Sequence, residues 1–175
     1  LSIRRQRQMC IRDRDRVAAE VAGLEPDFGA VARLRFTRDV FREVLRLFPP
    51  VPMMVRETTC PEEFRGRTVA PGAQVVLSPW HLGRHERIWE AADDFDPDRW
   101  AREETKAAAR DGWLPFSSGP RVCTGAGFAM VEGVLLLAQL VRAFRFEVVE
   151  ERVPVPVAHL TVRARDGVWL RVVRR

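Results

Sequence analysis

The stretch "FSSGPRVCTGAGFAM", Phe116 to Met130, sets Cys123 among an arginine, a proline and three glycines, just ahead of an apolar run. A helix is expected from about Gly125 to Phe144, so Cys123 sits directly before a helix start. Unpaired amides and the helix dipole there favour an anion. A thiolate in that place can act as a nucleophile or a metal ligand. Gly119 and Gly125 carry no side chains, so a large flat group can approach the backbone. Arg121, two residues from the sulfur, offers a fork of donors to a carboxylate on such a group. The plainer reading is a buried, inert cysteine at a glycine-rich turn, and for a lone cysteine that is the default. A nucleophile is weaker still, because His81, His85 and His159 all lie far from Cys123 in sequence.

Outside this stretch the composition is that of an ordinary globular domain. The chain has 175 residues, 46% hydrophobic and 30% charged, with a formal net charge of +5. Cys10, Cys60 and Cys123 are widely spaced, which argues against a disulfide framework or a structural zinc site and for a reducing compartment. The longest apolar run, Gly133 to Val141, is too short to span a bilayer. Charge gathers at the ends: residues 1–16 hold six Arg against two Asp, and residues 163–175 five Arg against one Asp. No aromatic residue interleaves the basic N-terminal segment, so nucleic-acid binding is not expected. Residues 1–13 read as a basic tail, disordered or not native, and residues 14–175 as one domain. The chain opens with Leu, so its natural start is expected upstream.

Helices are expected from Arg14 to Leu24 and from Thr37 to Phe48, the second capped by Thr37 and stopped by Pro49 and Pro50. "PMMVRETT" reads as extended, and "FRGRTVAPGAQVVLS" as a hairpin turning near Ala70-Pro71-Gly72. Residues 90–112 read as irregular. The polar positions of the 125–144 helix, Glu132, Gln139 and Arg142, share a narrow face, which predicts burial of most of its circumference. "LTVRARDGVWLRVV" reads as a closing hairpin at Asp166-Gly167.

The pattern Phe116-x-x-Gly119-x-Arg121-x-Cys123-x-Gly125, followed by Ala129 and Glu132, closely resembles the haem-binding loop of the cytochrome P450 family. That resemblance implies a mainly α fold with small β-sheets, namely the C-terminal part of the cytochrome P450 fold. It makes Cys123 the axial ligand of the iron in haem b (iron protoporphyrin IX). Arg121 and Arg56 would hold haem propionates, and Phe116 would pack beside the sulfur. Glu43-x-x-Arg46 in "FREVLRLFPPVP" resembles the Glu-x-x-Arg helix of the family. "DPDRW" supplies Arg99 at the arginine of the Pro-Glu-Arg-Phe signature, with Asp98 and Trp100 as departures. Periodicity alone puts Asp39, Arg42, Glu43 and Arg46 on a solvated face. The resemblance instead implies a buried charge cluster of Glu43, Arg46 and Arg99. Gly83 and Glu86 depart from residues common in the family, and no role is carried over to His81 or His85.

Met53, Met54 and Val55 would border a substrate pocket, as would His159, Leu160 and Thr161. The implied function is a haem–thiolate monooxygenase in the cytoplasm, without nucleic-acid or membrane partners. It would take dioxygen, a small organic substrate and electrons from a ferredoxin or flavoprotein. No Ala/Gly-Gly-x-Asp/Glu-Thr-Thr string occurs, so the oxygen-activating helix is expected to lie outside these residues. The alternatives are an incomplete haem-binding module without activity, and a peroxide-using or isomerising member of the family.

Overall fold

The computed structural model describes residues 3–25 and 27–175, with side chains from residue 12 onward. Among them are five α-helices and four two-stranded antiparallel sheets.

Helix α1, Ile3–Val21, holds no proline or glycine and ends where Gly23 takes a positive φ of 73°. It is helical through residues 3–13, so the expected boundary at Arg14 does not coincide with an element end. Residues 1 and 2, and the side chain of Cys10, lie outside the described residues. Helix α2, Arg35–Leu47, has no side-chain cap from its flanking Leu34. Glu20 of α1 supplies one: its carboxylate accepts from the backbone N–H of Phe36 (2.8 Å) and Thr37 (2.7 Å) and from Thr37 Oγ1 (2.6 Å). The expected cap, Thr37, is thus a donor inside the first turn. An anion from a neighbouring helix meets the free amides and the dipole together.

Strand β1 (Met54–Glu57) pairs with β4 (Gln74–Leu77), and β2 (Glu62–Phe64) with β3 (Arg67–Val69). The β2–β3 hairpin turns at Arg65-Gly66, where both residues have positive φ, 52° and 72°. A two-residue turn of this hand matches strand twist. The expected turn at Ala70-Pro71-Gly72 instead leads from β3 into β4, with the Gly72 N–H donating to Thr58 O at 2.8 Å. A short helix α3 (Pro79–Leu82) follows, capped by Ser78. After the 3-10 turn Pro97–Ala101 comes α4, Glu103–Gly112, within the segment expected to be irregular. Acidic residues in its first turn and Arg110 in its last suit the helix dipole.

Helix α5, Ala126–Ala143, leads into β5 (Phe144–Val148), which pairs with the last strand, β8 (Leu170–Arg174). Between them β6 (Pro156–Ala158) pairs with β7 (Val162–Ala164). The chain does turn at Asp166-Gly167, but its flanking strands belong to different sheets, so the expected hairpin is absent. Partner choice depends on long-range packing that a local turn signal does not carry.

The core lies where α1, α2 and α5 meet, around Val17, Val21, Leu34, Val134, Ala138 and Val141. Gly133 admits the Phe41 ring of α2, since an added Cβ would lie 2.6 Å from two of its ring carbons. The other apolar side of α5, with Phe128, Leu136 and Leu140, is exposed. This corrects the expectation that most of its circumference is buried: periodicity reports which residues are apolar, not which have neighbours. By length and composition α5 is also able to cross a membrane, with 18 residues at mean hydropathy 1.5.

Candidate functional site

The Cys123 loop is closed by its own backbone. The Cys123 N–H donates to Phe116 O at 2.8 Å, and the Ala126 N–H to Cys123 O at 3.2 Å as α5 begins. Between these bonds, Gly119–Arg121 forms a 3-10 turn, and Ser117 and Gly119 hold positive φ values of 63° and 65°. Gly125 flanks α5 without a side-chain cap, so no side chain competes for the amides of the first helical turn beside the cysteine.

The thiol is free and exposed, unlike the inert buried cysteine of the default reading. An added Cβ would meet nothing within 4 Å at Gly119 or Gly127, and at Gly125 only the Cys123 sulfur, at 3.8 Å. Side chains at these positions would fill space that is open beside the sulfur. Arg121 is exposed at the end of the turn. Arg56 of β1 reaches the loop from 61 residues away, donating to Ser117 Oγ at 2.8 Å and to its neighbour Val55 O at 3.0 Å.

Among the described residues no group of three or more His, Cys, Asp or Glu converges to hold a metal. Cys123 is therefore a single soft donor. An iron bound there would need a prosthetic group that brings its own donor atoms. Haem has that chemistry, and its acidic edge suits the two arginines at the loop. The residues present fit the group.

Beside the loop stands a buried charge cluster. Glu43, Arg46 and Arg99 are 0%, 1% and 2% exposed. Glu43 Oε1 accepts from Arg46 Nη2 (2.8 Å), the Asp96 N–H (2.9 Å) and Arg99 Nε (3.0 Å). Its Oε2 accepts from Arg46 Nε (2.9 Å) and Trp100 Nε1 (3.1 Å). The remaining guanidinium donors go to backbone carbonyls: Arg46 to Gly83, Ala92 and Asp94, Arg99 to Glu90, Ala91 and Asp94. Every charge is paired, which is what burial of such a cluster requires. The solvated face read from periodicity is covered by residues 83–99 wrapping across α2.

The turn bearing Arg99 is also tied to α1. Arg16 donates to both oxygens of Asp98 at 2.8 and 2.7 Å, and this contact holds the Asp98 carboxyl below its ordinary range. Asp13, one turn earlier on α1, is pushed up by burial.

Two tryptophans that sequence reasoning passed over, Trp89 and Trp113, join Trp100 in a column that leads from the cluster to the loop. Trp89 and Trp100 have ring centroids 5.8 Å apart, Trp100 and Trp113 5.7 Å, and Trp113 and Phe116 6.1 Å. Trp113 and Ser117, like Trp89, belong to the setting of the site. Their only sequence signal was the density of tryptophan in this stretch.

The expected pocket residues separate. Met53 lines an apolar cleft of about 230 Å³ with Pro52, Trp80, Pro156 and Val162, beside the hydrogen-bonded pair Ser78 and His81 (2.8 Å). The Val162 N–H donates to Pro50 O at 2.8 Å, which fastens β7 over this cleft. Met54, Val55, His159, Leu160 and Thr161 are not in its lining. Leu160 is exposed at the β6–β7 turn, whose ends are joined by the His159 N–H donating to Thr161 O at 3.1 Å.

A family model described as Cytochrome P450 matches residues 6–168. "Cyclooctatin synthase" of Streptomyces melanosporofaciens is 41% identical over 125 residues, covering 71% of this chain and 27% of that protein. Human "Cytochrome P450 4A22" is 34% identical over 168 residues, 91% of this chain and 32% of that protein. The "cytochrome P450DA heme domain" superposes with a TM-score of 0.86 at 28% identity, covering 96% of this chain and 38% of the other. The chain therefore spans about a third of the length of these relatives.

Proposed function

Because the chain belongs to the cytochrome P450 family, we propose that it carries the cysteine-bearing side of a haem–thiolate monooxygenase, where Cys123 would hold haem b. The observation that carries this reading is the exposed thiol on an open glycine loop that also bears Arg121 and is met by Arg56 at Ser117.

Each residue has a stated task. Cys123 gives its sulfur to the iron, and the free amides at the start of α5 moderate the charge on that sulfur. Arg121 and Arg56 bind the propionates, as point-and-fork partners for carboxylates. Gly119 and Gly125 let the loop lie against the ring, and Phe116 packs beside the sulfur and keeps water from it. The Glu43–Arg46–Arg99 cluster takes no part in the reaction. It fixes α2 against residues 83–99, and with them the aromatic residues on which the loop rests. Met53 and the apolar cleft it lines give surface to a small organic substrate.

Bound haem supplies oxygen activation: with two electrons from a ferredoxin or flavoprotein, dioxygen is split and one atom enters the substrate. The protein works in the cytoplasm, where separate thiols stay reduced. A second reading has a specific basis, since no Ala/Gly-Gly-x-Asp/Glu-Thr-Thr string occurs among these residues. On that reading the chain binds haem without catalysing oxygen insertion.

Titration of the chain with haemin tests the proposal. Retained haem and a thiolate-type ferrous–carbonyl spectrum are expected, lost in Cys123→Ser and kept in Cys60→Ser. Haem retained equally by Cys123→Ser would overturn the assignment of the ligand. Normal binding with no product from any electron donor would favour the second reading.

A further inference from the structure

Trp100 differs from its two indole neighbours in what its N–H meets. Trp89 Nε1 donates to the carbonyl of Leu82 at 2.9 Å, and Trp113 Nε1 to the carbonyl of Arg42 at 3.3 Å. Only Trp100 donates to a carboxylate, Glu43 Oε2 at 3.1 Å. Guanidinium groups also stand over the rings. Arg46 and Arg99 lie 5.4 and 6.0 Å from the Trp89 centroid, and Arg42 lies 4.9 Å from Trp100 and 5.9 Å from Trp113. A cation on a ring face stabilises the neutral indole and opposes a radical cation. An electron therefore leaves this column most readily where a proton can leave with it, and a neutral carbonyl cannot take that proton.

The column also leads to the cysteine. Trp100, Trp113 and Phe116 stack edge to face at 5.7 and 6.1 Å, and Phe116 O accepts the Cys123 N–H at 2.8 Å. Trp100 stands where the Pro-Glu-Arg-Phe signature has phenylalanine, and it adds to the column the N–H that phenylalanine lacks.

We propose that Trp100 is a redox-active residue, supplying one electron by way of Trp113 to a strong one-electron oxidant at the Cys123 loop. The oxidant gains one electron from Trp113, and Trp113 regains it from Trp100. The Trp100 Nε1–H bond breaks and its proton passes to Glu43 Oε2. The products are a neutral indolyl radical, a protonated Glu43 and an oxidant reduced by one electron. Neutralising Glu43 between two guanidinium groups is unfavourable. The radical is accordingly short-lived, and a reductant such as the redox partner restores the indole as the proton returns. The consequence is that an oxidising equivalent not used on substrate is drawn away from the Cys123 sulfur. The haem reading is needed here only to name the oxidant in the cell, a haem held by Cys123 and oxidised beyond its ferric level by dioxygen or a peroxide.

The test uses no haem, so its failure is distinguishable from failure of that reading. A ruthenium polypyridyl photo-oxidant is attached to Cys123 in the full chain carrying Cys10→Ser and Cys60→Ser. After flash-quench, a neutral tryptophan radical is expected by transient absorption and by electron paramagnetic resonance, with slower formation in D2O. Trp113→Phe should lose most of the signal and Trp100→Phe should abolish the D2O effect and the neutral radical, while Trp89→Phe and Trp169→Phe leave both unchanged. Far-UV circular dichroism checks that each variant is folded. If Trp100→Phe does not fold, Trp113→Phe and the D2O comparison on the parent carry the test. A parent chain without a tryptophan radical, a radical formed at equal rates in H2O and D2O, or one that survives Trp100→Phe unchanged overturns the proposal.

Discussion

Glu43 accepts hydrogen bonds from Arg46, Arg99, Trp100 and the Asp96 backbone in a site closed to water. Removing it leaves two guanidinium groups buried without a counter-charge. Glu43→Ala is expected to cost about 3–5 kcal/mol, the usual penalty for breaking a buried pair from one side. Urea unfolding read by tryptophan fluorescence measures this, and a loss no greater than that of an exposed Glu62→Ala control would contradict it. The cluster is also where local reading and tertiary fact diverge. Glu43 and Arg46, three residues apart, have the spacing of a surface pair. Their burial depends on Gly83, whose carbonyl accepts from Arg46 and where an added Cβ would strike Arg46 O. Nothing within α2 announces that contact. The resemblance to a family motif did announce the cluster, because a motif records packing that periodicity does not.

Helix α2 shows the same division one level up. Its end was legible, since Pro49 and Pro50 cannot continue a helix. Its start was not, because the capping carboxylate comes from Glu20 on α1. Glu20→Ala is expected to cost about 0.5–2 kcal/mol, as loss of an N-cap does. Because the same carboxylate joins two helices, thermal unfolding should drop while the α-helical signal of the folded state is kept. A variant as stable as the parent would show that water replaces the cap. The strands follow a similar rule. Arg65-Gly66 forces a tight hairpin locally, whereas Asp166-Gly167 only reverses the chain and leaves β7 and β8 to find β6 and β5.

At the scale of the molecule, the three-helix core uses only part of the available apolar surface. Phe128, Leu136 and Leu140 on α5 are exposed, as are Val172 and Val173 on β8. Exposed apolar surface of this kind favours association. The isolated chain is expected to bind the dye ANS and to sediment in a concentration-dependent manner. Leu136→Lys with Leu140→Glu should reduce both without lowering the unfolding midpoint, since neither side chain is part of the core cluster. Unchanged sedimentation in that double variant would count against the argument.

The sequence by itself determined the Cys123 loop, the helix that follows it and the end of α2. Each rests on forces acting within a few residues: glycine freedom, proline geometry, the helix dipole and the 3.6-residue period. Tertiary structure alone decided that Arg56 meets Ser117 and that three tryptophans line up behind Phe116. It also decided that much of α5 stays exposed. These are contacts between distant segments, set by which surfaces meet when the chain closes on itself, and local spacing carries no record of them.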